Sequence, residues 1–411
     1  MVLTLWIIVV LGMLSASMLE ETHLEMRLSK FQRDDLEAMA LARAGVARAL
    51  ADLRNDMEID RTGQGELFDS LSDIWAYPDE GKVGRDNEGV EMGRGRYFVT
   101  VEDMSSRLDL NMISDLPHRE VLRVLLEDLG VEGKEAPAIA SAIIDWADAD
   151  DKATPPGTGY ENEYYSTRVA KESRTEWEKD QPPIYRCKND RFSSVEELLS
   201  VYGVTPELFY GIDREKQTPQ GPIEQFMERL KERRPADERK ERIALRDVLT
   251  VHSYGSVNIN TADSFILKVL FRAAIKDKKT ADEAVQKIMA LRKAAGSGRT
   301  GSLRAIRNIS DLVTKGGIRE NVLPPLMKIA AVNVRSDIYR IEALGEVGRN
   351  QHFIRVVVSR ELEHFQPDNL AVLFEKGAIN RRLADAFRQR HGTRRGPVEN
   401  IAVRVIQWQE L

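Results

Sequence analysis

The first nineteen positions, Met1 to Leu19, read MVLTLWIIVVLGMLSASML, an uncharged and mostly apolar run. At about 1.5 Å per residue, a helix of this length matches a hydrocarbon core of about 30 Å, so residues 1–19 read as a transmembrane helix. A cleaved secretory signal is the rival reading, but no basic region precedes the run and the helical pattern continues beyond it. Leu24, Leu28 and Phe31, then Met39, Val46, Leu50 and Leu53, recur at helical steps between charged residues. Residues 20–55 therefore form an amphipathic stem, and one continuous helix of about 55 residues would be about 80 Å long.

After the stem, Glu58 to Gly95 has no sustained period and reads as a long loop with one short helix at Leu67 to Trp75. RYFVTV, Arg96 to Val101, is a strand by its alternation and β-branched content. Helical patterns then dominate until Ala330 to Val334, Asp337 to Leu344, His352 to Ser359 and Ile401 to Trp408, which read as strands. Gly345 to Asn350 is a hairpin loop. A strand near residue 100 with partners after 330 implies that a helical domain is inserted into a small sheet domain. The expected class is α+β: a long N-terminal helix on a small antiparallel sheet (56–108 and 329–411), with a large, mostly helical insert.

Within the insert the chain repeats itself. One copy, 109–212, runs through Leu110-Asn111, Ile143 to Trp146, Val195 to Leu198 and Gly203-Val204. The other, 251–328, runs through Ile259-Asn260, Ile288 to Leu291, Ile309 to Leu312 and Gly317-Ile318. Between them, 213–250 is highly charged and reads as a solvated linker with one helix.

Composition narrows the function. The 411 residues carry 60 basic and 66 acidic side chains, a net charge of -6 that gives no global pull toward nucleic acid or anionic lipid. A single cysteine, Cys187, excludes an intrachain disulfide, and its expected state is buried. The six histidines are scattered, and neither a zinc-protease motif nor a phosphate-binding P-loop occurs, so catalysis has little support.

The sharpest chemical feature is acidic. Asp145, Asp148, Asp150 and Asp151 fall at the end of a predicted helix, and Glu161, Asn162 and Glu163 follow across a Pro-Pro-Gly loop. Carboxylates at a helix C-terminus face the negative end of its dipole and repel one another. A hard divalent cation with several oxygen ligands would offset that charge, calcium tolerating the irregular geometry best; a solvated acidic loop is the other reading.

Several stretches in order resemble the K-type minor pseudopilins of bacterial type II secretion systems. They are LARAGVARALADL at Leu41 to Leu53, RLDLN at Arg107 to Asn111, IIDWADADD at Ile143 to Asp151 and GYENEYY at Gly159 to Tyr165. RFSSVEELLSVYGV at Arg191 to Val204, VNINTAD at Val257 to Asp263, the final hairpin and Trp408 complete the likeness. The basic stretch from Gln366 to Arg395, with Arg381, Arg382, Arg388, Arg390, Arg394 and Arg395, has no counterpart in that pattern.

The resemblance implies a structural calcium ion held by Asp145, Asp148, Asp150, Asp151, Glu161, Asn162 and Glu163. It also implies an inner-membrane protein with one span and a periplasmic head. Its partners would be the I-type and J-type minor pseudopilins, the major pseudopilus subunit and the assembly platform. Ordinary subunits carry an acid early in the stem, whereas the first acid here is Glu20, beyond the apolar run. That absence suits the tip of a filament. The alternative is a type IV pilus or DNA-uptake component, since VNINTAD with IMALRKAAG and ISDLVTKGGI also looks like helix-hairpin-helix modules. The glycine hairpin such modules need is missing between Thr261 and Val285, and nucleic acid is not an expected partner.

Overall fold

The computed structural model describes residues 1–63, 68–76, 89–115, 118–155, 161–165, 186–211, 221–231, 243–275, 277–295, 306–329, 331–362 and 401–410. The basic stretch at 366–395 lies outside them. Helix α1, Val2–Gly63, is unbroken and runs eight residues past the expected end of the stem. Its N-terminal half, through Arg33, is uncovered, and among the described residues it is the one helix long and apolar enough to cross a membrane.

The C-terminal half of α1 lies on a five-stranded antiparallel sheet of order β1-β2-β7-β8-β9. Its strands are β1 (Val90–Met92), β2 (Gly95–Asp103), β7 (Ile338–Val347), β8 (Asn350–Leu362) and β9 (Ile401–Glu410). Between β2 and β7 come two small parallel pairs: β3 (Leu108–Asp109) with β4 (Leu249–Thr250), and β5 (Ser256–Asn258) with β6 (Ala331–Asn333). The expected α+β class, with helices inserted between strands of one sheet, is what the chain adopts.

Side chains alternate across a strand, so each sheet face can be read from sequence. Tyr97, Val99, Tyr339, Ile341, Ala343, Ile354, Val356 and Val358 face α1. The helix meets them with Ala38, Leu41, Ala42, Val46, Ala49 and Leu53. Small residues on this seam let the backbones approach closely. A Cβ on Gly345 would lie 1.9 Å from the Ala38 carbonyl oxygen and 2.6 Å from the Ala42 nitrogen, so only glycine fits there.

The opposite face, with Phe98, Leu344 and Phe353, is covered by Phe226 and Leu230 of the Pro222–Lys231 helix. The expected solvated linker is thus corrected: its helix is an amphipathic lid whose charged residues conceal a buried stripe. Three further expectations change. Residues 68–76 form turns rather than a helix, with Asp69, Ser70 and Trp75 buried. The hairpin between β7 and β8 is a two-residue turn at Gly348 (φ 61°) and Arg349, because Glu346 and Val347 stay in the ladder and Arg96 pairs with Glu346 at 2.7 Å. A three-residue strand, β1, completes one edge of the sheet and is too short to show a period.

In the insert, the Asp109–Asn111 turn starts α2 (Leu110–Ile113), and α3 (Arg119–Asp128) and α4 (Glu135–Ala147) follow. The second copy has the Ser264–Ala274 and Lys278–Ala295 helices in place of α3 and α4. Both copies close with one hydrogen-bond pattern. Asn111 donates to the Phe192 carbonyl at 3.0 Å and accepts from its N–H at 2.8 Å, while Asn260 does the same with Ile306 at 2.8 and 3.3 Å. Leu198 and Leu312 are fully buried, and Gly203 and Gly317 follow with positive φ. Arg272 joins the halves by pairing with both Asp128 of α3 and Asp282 at 2.8 Å.

Candidate metal centre

Helix α4 presents Ile143, Ile144 and Trp146 to the core, and the same buried turn carries Asp145 inward, fully covered. The helix stops at Asp148, whose extended backbone turns the chain outward and whose N–H still donates to the Ile144 carbonyl at 2.9 Å. Residues 161–165 return against this end: Tyr165 stacks edge-on against Trp146 at 5.3 Å and accepts from the Tyr202 N–H. That anchor sets Glu161 beside Asp145 and Asp148. One carboxylate oxygen from each of the three lies within 4.8 Å of the other two.

The other expected ligands are placed differently. Asp150 is exposed and accepts from the Lys152 N–H at 2.8 Å. Asp151, also exposed, accepts from the side-chain amides of Asn162 at 2.8 Å and Asn189 at 3.1 Å. Asn162 gives its oxygen to the Cys187 N–H at 3.0 Å, so it braces the pocket rather than facing into it. The Glu163 side chain lies outside what the structure describes. Asp150 and Asp151 therefore stand on the rim, while Asp145, Asp148 and Glu161 form the centre.

Glu161 decides whether this arrangement fits a cation. It is 5% exposed, and neither of its carboxylate oxygens has a hydrogen-bond donor among the described residues. Burial, then the charges of Asp145, Asp148, Asp151 and Asp150, push its pKa up to about 8. A carboxyl so placed must take a proton or meet a positive charge. Calcium lies about 2.3–2.6 Å from its oxygen ligands, so oxygens within 4.8 Å of one another can share one ion. The donors are all hard oxygens. The Cys187 sulfur is turned to the Asp145 carbonyl at 3.1 Å, and burial raises its pKa to about 12, so it stays a buried thiol, as expected.

Sequence reading passed over Asn189. It adopts φ 50°, unusual for a residue with a side chain, and ties the acidic loop down through Asp151 and the Asp150 carbonyl. Nothing in its surroundings in the sequence marks it. A second acidic group, Asp56, Asp69 and Asp73, contains its own cation: Arg360 pairs with Asp56 at 3.0 Å and with Asp69.

The helix-hairpin-helix alternative depends on free backbone donors at Gly316 to Ile318. Those N–H groups bond the carbonyls of Asp311, Val313 and Leu312, and Lys287 caps the Gly317 carbonyl. They close a helix and do not present themselves to phosphate.

A long helix seated on an antiparallel sheet is a pilin-like fold, here with a helical insert between its strands. Residues 106–213 match the family model for the first domain of type II secretion system protein K, which bears out the resemblance over these residues. The type II secretion system protein K of Pectobacterium carotovorum subsp. carotovorum is 36% identical over 90 residues, covering 22% of this chain and 23% of that protein. The alignment thus spans under a quarter of the curated relative. A chain of the GspK-GspI-GspJ complex from the type 2 secretion system of enterotoxigenic Escherichia coli shares the fold, with a TM-score of 0.52 and 14% identity over 93% of this chain and 98% of that one.

Proposed function

We propose that this chain is a K-type minor pseudopilin of a type II secretion system, a structural subunit rather than an enzyme. The observation that carries the reading is the protein K domain at 106–213 set between the strands of a pilin-like head. α1 anchors the protein once in the inner membrane, and the head stands in the periplasm. The subunit sits at the pseudopilus tip and primes assembly with I-type and J-type minor pseudopilins, above the major subunit and the assembly platform. A complex of the same composition is the source of the structurally similar chain. Co-purification from membranes tests this: I-type and J-type subunits are recovered with it, and recovery of neither overturns the tip assignment.

Asp145, Asp148 and Glu161 would hold a calcium ion, with Asp150 and Asp151 adding negative charge at the rim. Bound calcium would supply positive charge to a pocket of crowded carboxylates and tie α4 to the 161–165 segment. Calorimetry of the full chain in detergent gives binding heat with calcium and a large loss of affinity in Asp148→Ala. Absence of heat in the unmodified protein rejects the site.

A further inference from the structure

Residues 186–190 form a third wall of the acidic pocket, and hydrogen bonds on either side of Asn189 fix them. Cys187 donates its N–H to Asn162 at 3.0 Å and its thiol to the Asp145 carbonyl at 3.1 Å. Lys188 reaches both Ser193 and Glu197 at 2.8 Å, and Asn111 grips Phe192 at its N–H and its carbonyl. Asn189 is thus a fixed post between anchored neighbours.

Two features of this post are unfavourable by themselves. Among the described residues Asn189 is the one non-glycine with positive φ, at 50°, a strained backbone for a residue with a side chain. Its Oδ1 is also buried, with no hydrogen-bond partner among the described residues. What the arrangement gains is a grip on the acidic loop. Nδ2 donates to the Asp150 carbonyl at 3.3 Å and to Asp151 Oδ1 at 3.1 Å, the same oxygen that accepts from Asn162 at 2.8 Å. The reverse amide orientation would set oxygen against oxygen at both contacts, so the donor must face the loop.

The loop needs such a tie. Asp148, Asp150 and Asp151 follow the C-terminus of α4 beside Asp145 and Glu161, and both Glu161 oxygens lack a donor among the described residues. Like charges at the negative end of a helix push an untied loop outward. We propose that Asn189 is the positioning residue of the cation site, holding the 148–151 loop closed against that repulsion before the ion arrives. The proposal rests on the calcium reading above. Asn189 acts through Asp151 and the Asp150 carbonyl, and partners of this kind behind the ligands set metal affinity by about 10- to 100-fold.

Glycine separates this role from that of a turn residue, because it adopts φ 50° without strain and lacks the amide. Calorimetry of the full chain in detergent with calcium chloride is expected to show affinity at least about tenfold weaker in Asn189→Gly. Its denaturant midpoint in a chelator stays level or rises. In an Asp151→Ala background the same replacement changes affinity far less, since the closer of the two acceptors is gone. Equal affinity in Asn189→Gly and the unmodified protein, or an undiminished effect in the Asp151→Ala background, overturns the positioning role and leaves the calcium site standing. Absence of heat in the unmodified protein removes the calcium site and this role with it.

Discussion

Gly345→Ala tests how α1 is seated. The added methyl would stand 1.9 Å from the Ala38 carbonyl oxygen and 2.6 Å from the Ala42 nitrogen. Ordinary contact needs about 3.4 Å or more, so helix and strand must part by over an ångström along the seam that also holds Val46, Ala49 and Leu53. The obstructing atoms are backbone on both sides and no rotamer change relieves them. Overpacking of a well-filled core costs about 1–3 kcal/mol, and this case belongs at or above the top of that range. At Gly348, by contrast, a Cβ meets nothing within 4 Å, and the cost is backbone strain at φ 61° alone, about 1–2 kcal/mol. Denaturant unfolding of the full chain in detergent, followed by circular dichroism, should place Gly345→Ala well below Gly348→Ala in midpoint. If Gly345→Ala proves the milder of the two, the close backbone contact does not exist.

Two further outcomes follow from buried charge. Arg360→Met leaves Asp56 and Asp69 without their cation and lowers stability by about 3–5 kcal/mol, measured by denaturant midpoint; Asp69→Asn in the same chain recovers part of the loss. In a chelator, the Glu161 carboxyl titrates at about 8 when folded and near 4.5 when unfolded, so the folded state holds an extra proton between those values. Stability therefore falls as pH rises through that window and is level above about 8; Glu161→Gln removes the slope between pH 7 and 8, and a melting temperature that climbs there refutes the assignment.

Much of the architecture was legible because burial leaves a period. The alternation of β2, β7 and β8 and the long apolar run of α1 are strong signals, and the insertion follows from where the strands fall in the chain. The helix-sheet seam was legible in part: Val46 and Leu53 of the expected stripe are buried in it, whereas Met39 and Leu50 are only half-buried and the close contact is made by Ala38, Ala42 and Ala49, which matter for being small. The one helix expected in 213–250 is there, at Pro222–Lys231, but its seat on the sheet was hidden by charge, since Phe226 and Leu230 are a narrow stripe among charged residues. At the metal centre, composition names the acidic residues but not their directions. Asp145 and Glu161 turn inward because Trp146 and Tyr165 anchor their backbones, and Asn162 turns to the Cys187 N–H, a partner 25 residues away.

The matched clasps of Asn111 and Asn260 give the insert a twin without the acidic pocket. Trp146 lies against Tyr165 on the pocket side, and residues 251–329 contain no tryptophan. Tryptophan fluorescence of the insert therefore comes only from the twin that carries the acidic pocket, and a ligand-driven change in the insert's tryptophan signal is assigned to that twin.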